Sequence, residues 1–310
     1  MISCKDFIPV YSEIFCYLEK HFGRQEVDKY WEAIFKVNKN KKSALLSFLE
    51  KEGIKGCYSY WTGTLNEEAA DFSMYLNEKR GFFKIDMHRC PSKGRLVDLQ
   101  EQIGLEPYKD YCLHCDGYRY ACNAVGLDYI YNFQGTDKAA CTLFIYDPKI
   151  FDGRIIMDEN TQCMHRNASD NEYYHPHFHV SLNTGLNYVG ENHGESGVRE
   201  VLSNYVKRVL QPLIGDITLV SIERMIKEDY AKERSSCVLN TVLTENRLSV
   251  SVSRCPAVQH MRNMNVSPSY WYKYATIGVM EELAKLAGCT FVMDSYDELT
   301  GAANYYFAKE

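Results

Sequence analysis

Long apolar runs are missing from this chain: no window approaches ~18 uninterrupted apolar residues, the length a membrane-spanning helix needs. Lys/Arg runs flanked by aromatics are missing too, and 35 basic against 41 acidic residues leave a net charge of −6. That balance argues against a nucleic-acid backbone or an anionic membrane as the main partner. The opening MISCKDFIPVYSEIFCYLEKHFG is charged throughout and lacks the basic start and apolar centre of a signal peptide. A cytoplasmic protein is therefore expected, its cysteines held as thiols, and the sequons at Asn167 and Asn265 are read as chance. There is no G-x-S-x-G, no phosphate-binding Gly loop and no dinucleotide fingerprint, so three common catalytic architectures have no local support.

What stands out is 24 Tyr and 12 Cys in 310 residues. The length suits two domains of roughly 150 residues, each able to bury about 70% of its surface without a disulfide or metal. Most of the tyrosines are read as packing between helices and sheets. Six cysteines (Cys57, Cys90, Cys112, Cys115, Cys122 and Cys141) fall in or beside the stretch 82–146.

Periodicity divides the chain. Phe7, Tyr11, Ile14, Phe15 and Leu18 recur at helical spacing, predicting an amphipathic helix over 5–20 that Gly23 ends. Helices are expected at 26–35 and 42–51. Phe72, Met74 and Leu76, then Phe83, Ile85 and Met87, alternate about a turn at Gly81, which predicts a β-hairpin. The other face of its second strand carries Lys84, Asp86, His88 and Cys90 before Pro91. Helices at 95–103 and 108–125 follow, then strands at 128–133 and 140–146. The expected fold is α+β, with an antiparallel sheet of about four strands, two hairpins, packed with helices.

The order then returns. Phe178, Tyr188, Gly194 and Val198 match Phe7, Tyr17, Gly23 and Val27 at one offset. The hairpin expected at 239–254 ends in Arg254-Cys255-Pro256, as 82–91 ends in Arg89-Cys90-Pro91. Strands at 290–293 and 303–308 close the second copy. The sequence thus predicts a tandem repeat: a first unit at 1–147, a linker at 148–174 and a second unit at 175–310.

Candidate chemistry concentrates in the first copy. On an α-helix over 108–125, Cys112, Cys115, Asp116 and Arg119 would share a face, with Cys90 and Cys141 delivered by the sheet. Three readings are open: small buried thiols; a nucleophilic thiol activated by His88, His114, Arg89 or Arg119; or a Cys-ligated zinc or iron centre, although no second C-x-x-C accompanies Cys112-x-x-Cys115. No cofactor is expected on balance. The second copy keeps Cys255-Pro256, but Lys273 and Thr276 face Cys112 and Cys115, and Asn304 faces Cys141. The cluster His175, His177, His179 lies where the repeat puts a helix start, so one or two functional histidines are expected rather than a three-histidine metal site. A duplicated, non-catalytic small-molecule sensor is the rival from another class.

Cys90-Pro91, Cys112 with Asp116 four residues on, the turn Gly135-Thr136-Asp137 and Cys141-x-x-Phe144 together resemble the L-2-amino-thiazoline-4-carboxylic acid hydrolase-like family. They are also similar to the related 4-vinyl-reductase-type ligand-binding domains. The resemblance covers about 80–146, with a fainter echo over 245–308. Cys115 stands where that family carries a carboxylate three residues after the cysteine. The resemblance implies ring-opening hydrolysis of a small cyclic C–N compound with cysteine thiols required. The expected catalytic residues are Cys112, Cys115, Asp116, Cys90, Cys141 and His114, with Arg119, His88 and His179 binding substrate. A small molecule is the expected partner, and a homodimer is allowed.

Overall fold

Gly23 splits the N-terminal apolar stretch into two helices, α1 (Phe7–Phe22) and α2 (Arg24–Phe35). The computed structural model describes residues 1–37, 43–170 and 172–309. The third expected helix begins at α3 (Ala44–Glu52), capped by the Ser43 hydroxyl accepting from the Leu46 amide; residue 42 lies outside the described residues. α4 (Lys55–Glu67) leads into the sheet.

The alternation read at 72–87 forms as expected. β1 (Asp71–Asn77) pairs antiparallel with β2 (Phe82–Arg89), setting Phe72, Met74 and Leu76 opposite Met87, Ile85 and Phe83. α5 (Pro91–Ile103) follows, then a 3₁₀-helix (Tyr111–Tyr118) running into α6 (Arg119–Ala124). The hairpin β3 (Asp128–Asn132) and β4 (Cys141–Tyr146) docks β4 on β2. β5 (Gln162–Arg166) pairs with the free edge of β1, so the excursion expected as a linker supplies a fifth strand. Its side chains are exposed except for Met164, which is why no alternation announced it.

The chain falls into two compact units that do not follow the contiguous division expected. The thiol unit comprises Phe22–Asp98 and Lys109–Tyr173; the terminal unit comprises Met1–His21, Leu99–Tyr108 and Tyr174–Glu310. In the thiol unit the five-stranded sheet runs β3-β4-β2-β1-β5. One face carries Met74, Phe83, Ile85, Leu143 and Ile145, covered by Leu45, Leu49, Trp61 and Ala121 from α3, α4 and α6. Trp61 stacks on Phe83 with ring centroids 5.4 Å apart. Each such large side chain contributes on the order of 1.5–3 kcal/mol through burial.

The terminal unit is built on α7 (Phe178–Tyr205), whose interior leaves helical geometry at Gly194. A π-turn at Val206–Leu210 continues into α8 (Gln211–Ile214), and α9 (Leu219–Lys232) opens on a capping box between Thr218 and Ser221. β6 (Leu239–Leu243), β7 (Arg247–Val252), α10 (Pro256–Asn263), α11 (Tyr274–Leu286), β8 (Thr290–Tyr296) and β9 (Ala303–Ala308) complete it. Its sheet order is β6-β7-β9-β8, the same sequence of strands as β1-β2-β4-β3. α1 belongs to this unit and is buried on more than the single stripe expected: Ile8, Val10, Ser12 and Glu13 are as covered as Phe7 and Phe15. No helix among the described residues is long and apolar enough to cross a membrane.

Candidate functional site

Cys90 follows β2 and precedes α5. Its amide donates to the Ala139 carbonyl at 2.7 Å, and its Sγ accepts from the Lys93 amide at 3.5 Å. Cys-Pro is thus a helix start, with the residue before Pro capping the first turn. Cys255-Pro256 also opens a helix, α10, without a side-chain cap, and the Cys255 amide donates to the Thr300 carbonyl at 2.9 Å. This explains the recurrence of Cys-Pro without any catalytic role for Cys255.

The segment expected as one α-helix is eight residues of 3₁₀-helix before it becomes α. In that geometry residues three apart eclipse. Cys112, Cys115 and Tyr118 therefore share a stripe, while Asp116 and Arg119 lie on the next. Arg119 is ion-paired to Asp116 at the exposed side. The expectation that Cys112, Asp116 and Arg119 share a face is corrected by this change of helix type.

Cys141 opens β4 on the core face, in the alternation that also places Leu143 and Ile145 there. Tyr129 and Tyr131 of β3 lie opposite Ile145 and Leu143 on that face. The Tyr129 hydroxyl donates to the Cys115 carbonyl at 2.7 Å. Tyr131 acts on the thiols of Cys115 and Cys141, lowering each against the larger effect of burial. Cys90, Cys112, Cys115 and Cys141 are all half-buried and free, and the charges of the other three would oppose ionisation of Cys115. Burial pushes every one of them up: Cys112 to about 11, with Lys93 pulling it partly back, and Cys115 well above the ordinary thiol range. Cys57 and Cys122 are packed in the core instead.

His114 gives the cluster its polarity. Its Nδ1 is 2.5 Å from the Tyr111 carbonyl, which only accepts, so Nδ1 carries the proton. Nε2 then presents a lone pair, 3.5 Å from Cys115 Sγ. Burial lowers His114 to about 4, so the ring is neutral near pH 7. A carboxyl absent from the sequence expectations is shifted as well. Glu68, just past α4, is raised to about 8 by burial and lies close enough to influence Cys90, Tyr60 and Tyr118. No pattern marks it, because its desolvation arises only from tertiary packing.

Two expected participants, His88 and His179, lie elsewhere. Asp86 and His88 are on the outer face of the sheet, since Met87 rather than its neighbours faces Cys141. Asp86 bonds Lys84 and Thr142 there, at 2.7 and 3.1 Å. His179 belongs to the terminal unit, buried with Glu233 (Nε2 to Oε2 3.0 Å) and 3.4 Å from the Tyr272 hydroxyl. Burial alone would raise Glu233, but His179 and the Cys4 amide, 2.5 Å away, bring it below its ordinary value. His175 packs edge-on to Phe178 at 4.5 Å, and His177 stands 6.2 Å from His175. Among the described residues no group of three or more His, Cys, Asp and Glu is arranged to hold a metal ion.

No protein-family model, curated protein or solved structure matches the chain.

Proposed function

We propose that the thiol unit is the reactive half of a duplicated small-molecule enzyme, a Cys-dependent hydrolase of a non-peptide C–N bond in a small cyclic amidine or thiazoline-like compound. The observation that carries it is the Cys115–His114 contact, in which the hydrogen bond to Tyr111 sets the tautomer that gives Nε2 a lone pair for the thiol. With both groups neutral at rest, proton transfer and attack occur together. The S–C bond forms as the thiol proton passes to Nε2, and the amidine C=N becomes a tetrahedral centre. The amine leaves with a proton from His114 or from the Glu68 carboxyl. Water then attacks the thioimidate, His114 takes its proton, and the S–C bond breaks, so amidine and water become amide and amine. Cys90, Cys112 and Cys141 shape and desolvate the pocket. The resemblance to the thiazoline-carboxylate hydrolases accords with this reading, and twelve free thiols suit a reducing cytoplasm.

Duplication is supported by the shared strand order, by the paired Cys-Pro helix starts and by the matched glycines of α1–α2 and α7. The ladders pair Cys141 with Met87 and Ala303 with Val252, so Ala303 is the position that answers Cys141, one residue before the expected Asn304. The test is turnover of small cyclic amidines. Cys115→Ser and His114→Asn should each lower kcat/KM at least a hundredfold, while Cys122→Ser leaves it within a few-fold. Unchanged turnover in both site variants rejects the nucleophile assignment. A second reading, a non-catalytic binding module, draws on the upward shift of every thiol; it predicts saturable binding of the same compounds without turnover.

A further inference from the structure

The outer face of the five-stranded sheet carries a cluster that the thiol chemistry does not use. Ser73 stands mid-sheet, directly opposite His165 of β5 on one side and Asp86 of β2 on the other. Its Oγ is 2.9 Å from His165 Nδ1 and 2.9 Å from His88 Nε2. Two strands therefore send imidazoles over the central one to meet at a single oxygen. A hydroxyl has one proton, so it donates to one ring and accepts from the other. Both imidazoles are exposed, whereas Ser73 is buried at 5% exposure. Asp86, on the same face, adds negative charge beside them.

We infer that His88 Nε2, His165 Nδ1 and Ser73 Oγ form a binding site for a first-row divalent cation of the nickel and copper class, with water completing the shell. Imidazole nitrogens bind these ions at about 2.0–2.1 Å, and two ligands at that distance and a right angle stand about 2.9 Å apart. Both N···O edges of the cluster already have that length. Binding requires a lone pair at each facing nitrogen, so the ring now donating to Ser73 moves its proton to its other nitrogen; Ser73 binds as the neutral hydroxyl and no redox change occurs. Neutral imidazole favours these ions over magnesium or calcium. The consequence is mechanical. β5 is an edge strand whose only half-buried side chain is Met164, and the ion would tie it across β1 to β2.

The probe is Ni²⁺ added to the reduced full-length protein, followed by calorimetry, thermal unfolding and NMR of the histidine rings. Wild type should bind one Ni²⁺ with a rise in Tm and paramagnetic broadening centred on His88 and His165. His88→Ala and His165→Ala, both exposed and checked for native circular dichroism, should each weaken that site at least tenfold and abolish the Tm rise. Absence of binding, wild-type affinity in either variant, or broadening confined to other histidines such as His177 and His260 would overturn the assignment.

Discussion

Gly23 and Gly194 hold the same backbone conformation, φ 81° and ψ 171° in one, φ 73° and ψ −175° in the other. Each breaks a helical stretch, at positions that the proposed repeat aligns, and the region they occupy is open essentially to glycine alone. A Cβ at either position meets nothing within 4 Å, so the strain of a substitution is purely of the backbone. Gly23→Ala and Gly194→Ala should each cost about 1–3 kcal/mol, and Gly→Val should cost little more. Urea unfolding of the four variants checks this; tolerance of alanine at either site would contradict the shared geometry.

Within the terminal unit, Arg208 grips both oxygens of Glu13, at 2.7 and 2.8 Å, and donates to the Glu106 carbonyl at 2.6 Å. Glu13 is 1% exposed, and burial raises its carboxyl although Arg208 opposes that shift. Removing one partner strands a desolvated charge. Arg208→Ala should destabilise by about 3–5 kcal/mol, whereas Glu13→Gln with Arg208→Met should recover most of it. Chemical denaturation of single and double variants measures the coupling.

Asp229 gives a pH signature to stability. Burial, with Asp6 nearby, pushes its carboxyl up to about 7, Lys232 offsetting part of the rise. An unfolded Asp ionises near 4. Between about pH 4 and 7 the unfolded chain loses this proton while the folded chain keeps it, so its stabilising contribution is full below that window and falls as pH rises through it. Denaturation midpoints of wild type should drop relative to Asp229→Asn from pH 5 to 7.5, and parallel midpoints would contradict the shift.

Catalysis should follow His114 and Glu68. The base must be bare, above about pH 4, and the acid protonated, below about pH 8. A plateau of kcat/KM between those limits is expected. Glu68→Gln should remove the alkaline limb and lower the rate tenfold or more; a profile whose alkaline limb survives in that variant would take Glu68 out of the mechanism.

Much of the α+β pattern is readable because period-two alternation and glycine breaks are local signals: β1 and β2 fall where Met74 and Ile85 put them, and the first helix breaks at Gly23. β5 was hidden because an exposed edge strand needs no apolar stripe. The site was half legible. Cys112 and Cys115 share one stripe of the helix as expected, but the choice between 3₁₀ and α geometry rotates Asp116 away from Cys112, and no residue pattern dictates that choice. His88 misled because strand parity puts it opposite the thiols once Met87 faces Cys141. Glu68 was invisible because burial, a property of the assembled core, is what shifts it.

The most direct measurement of the central claim is covalent capture at Cys115. Purified reduced protein treated with chloroacetamidine, which presents an amidine beside an alkylating carbon, should be labelled first at Cys115, with the rate falling at least tenfold in His114→Asn. Peptide mapping by mass spectrometry reads all twelve cysteines at once. Labelling led by exposed Cys163 and Cys237, with Cys115 slow and indifferent to His114, would contradict the account.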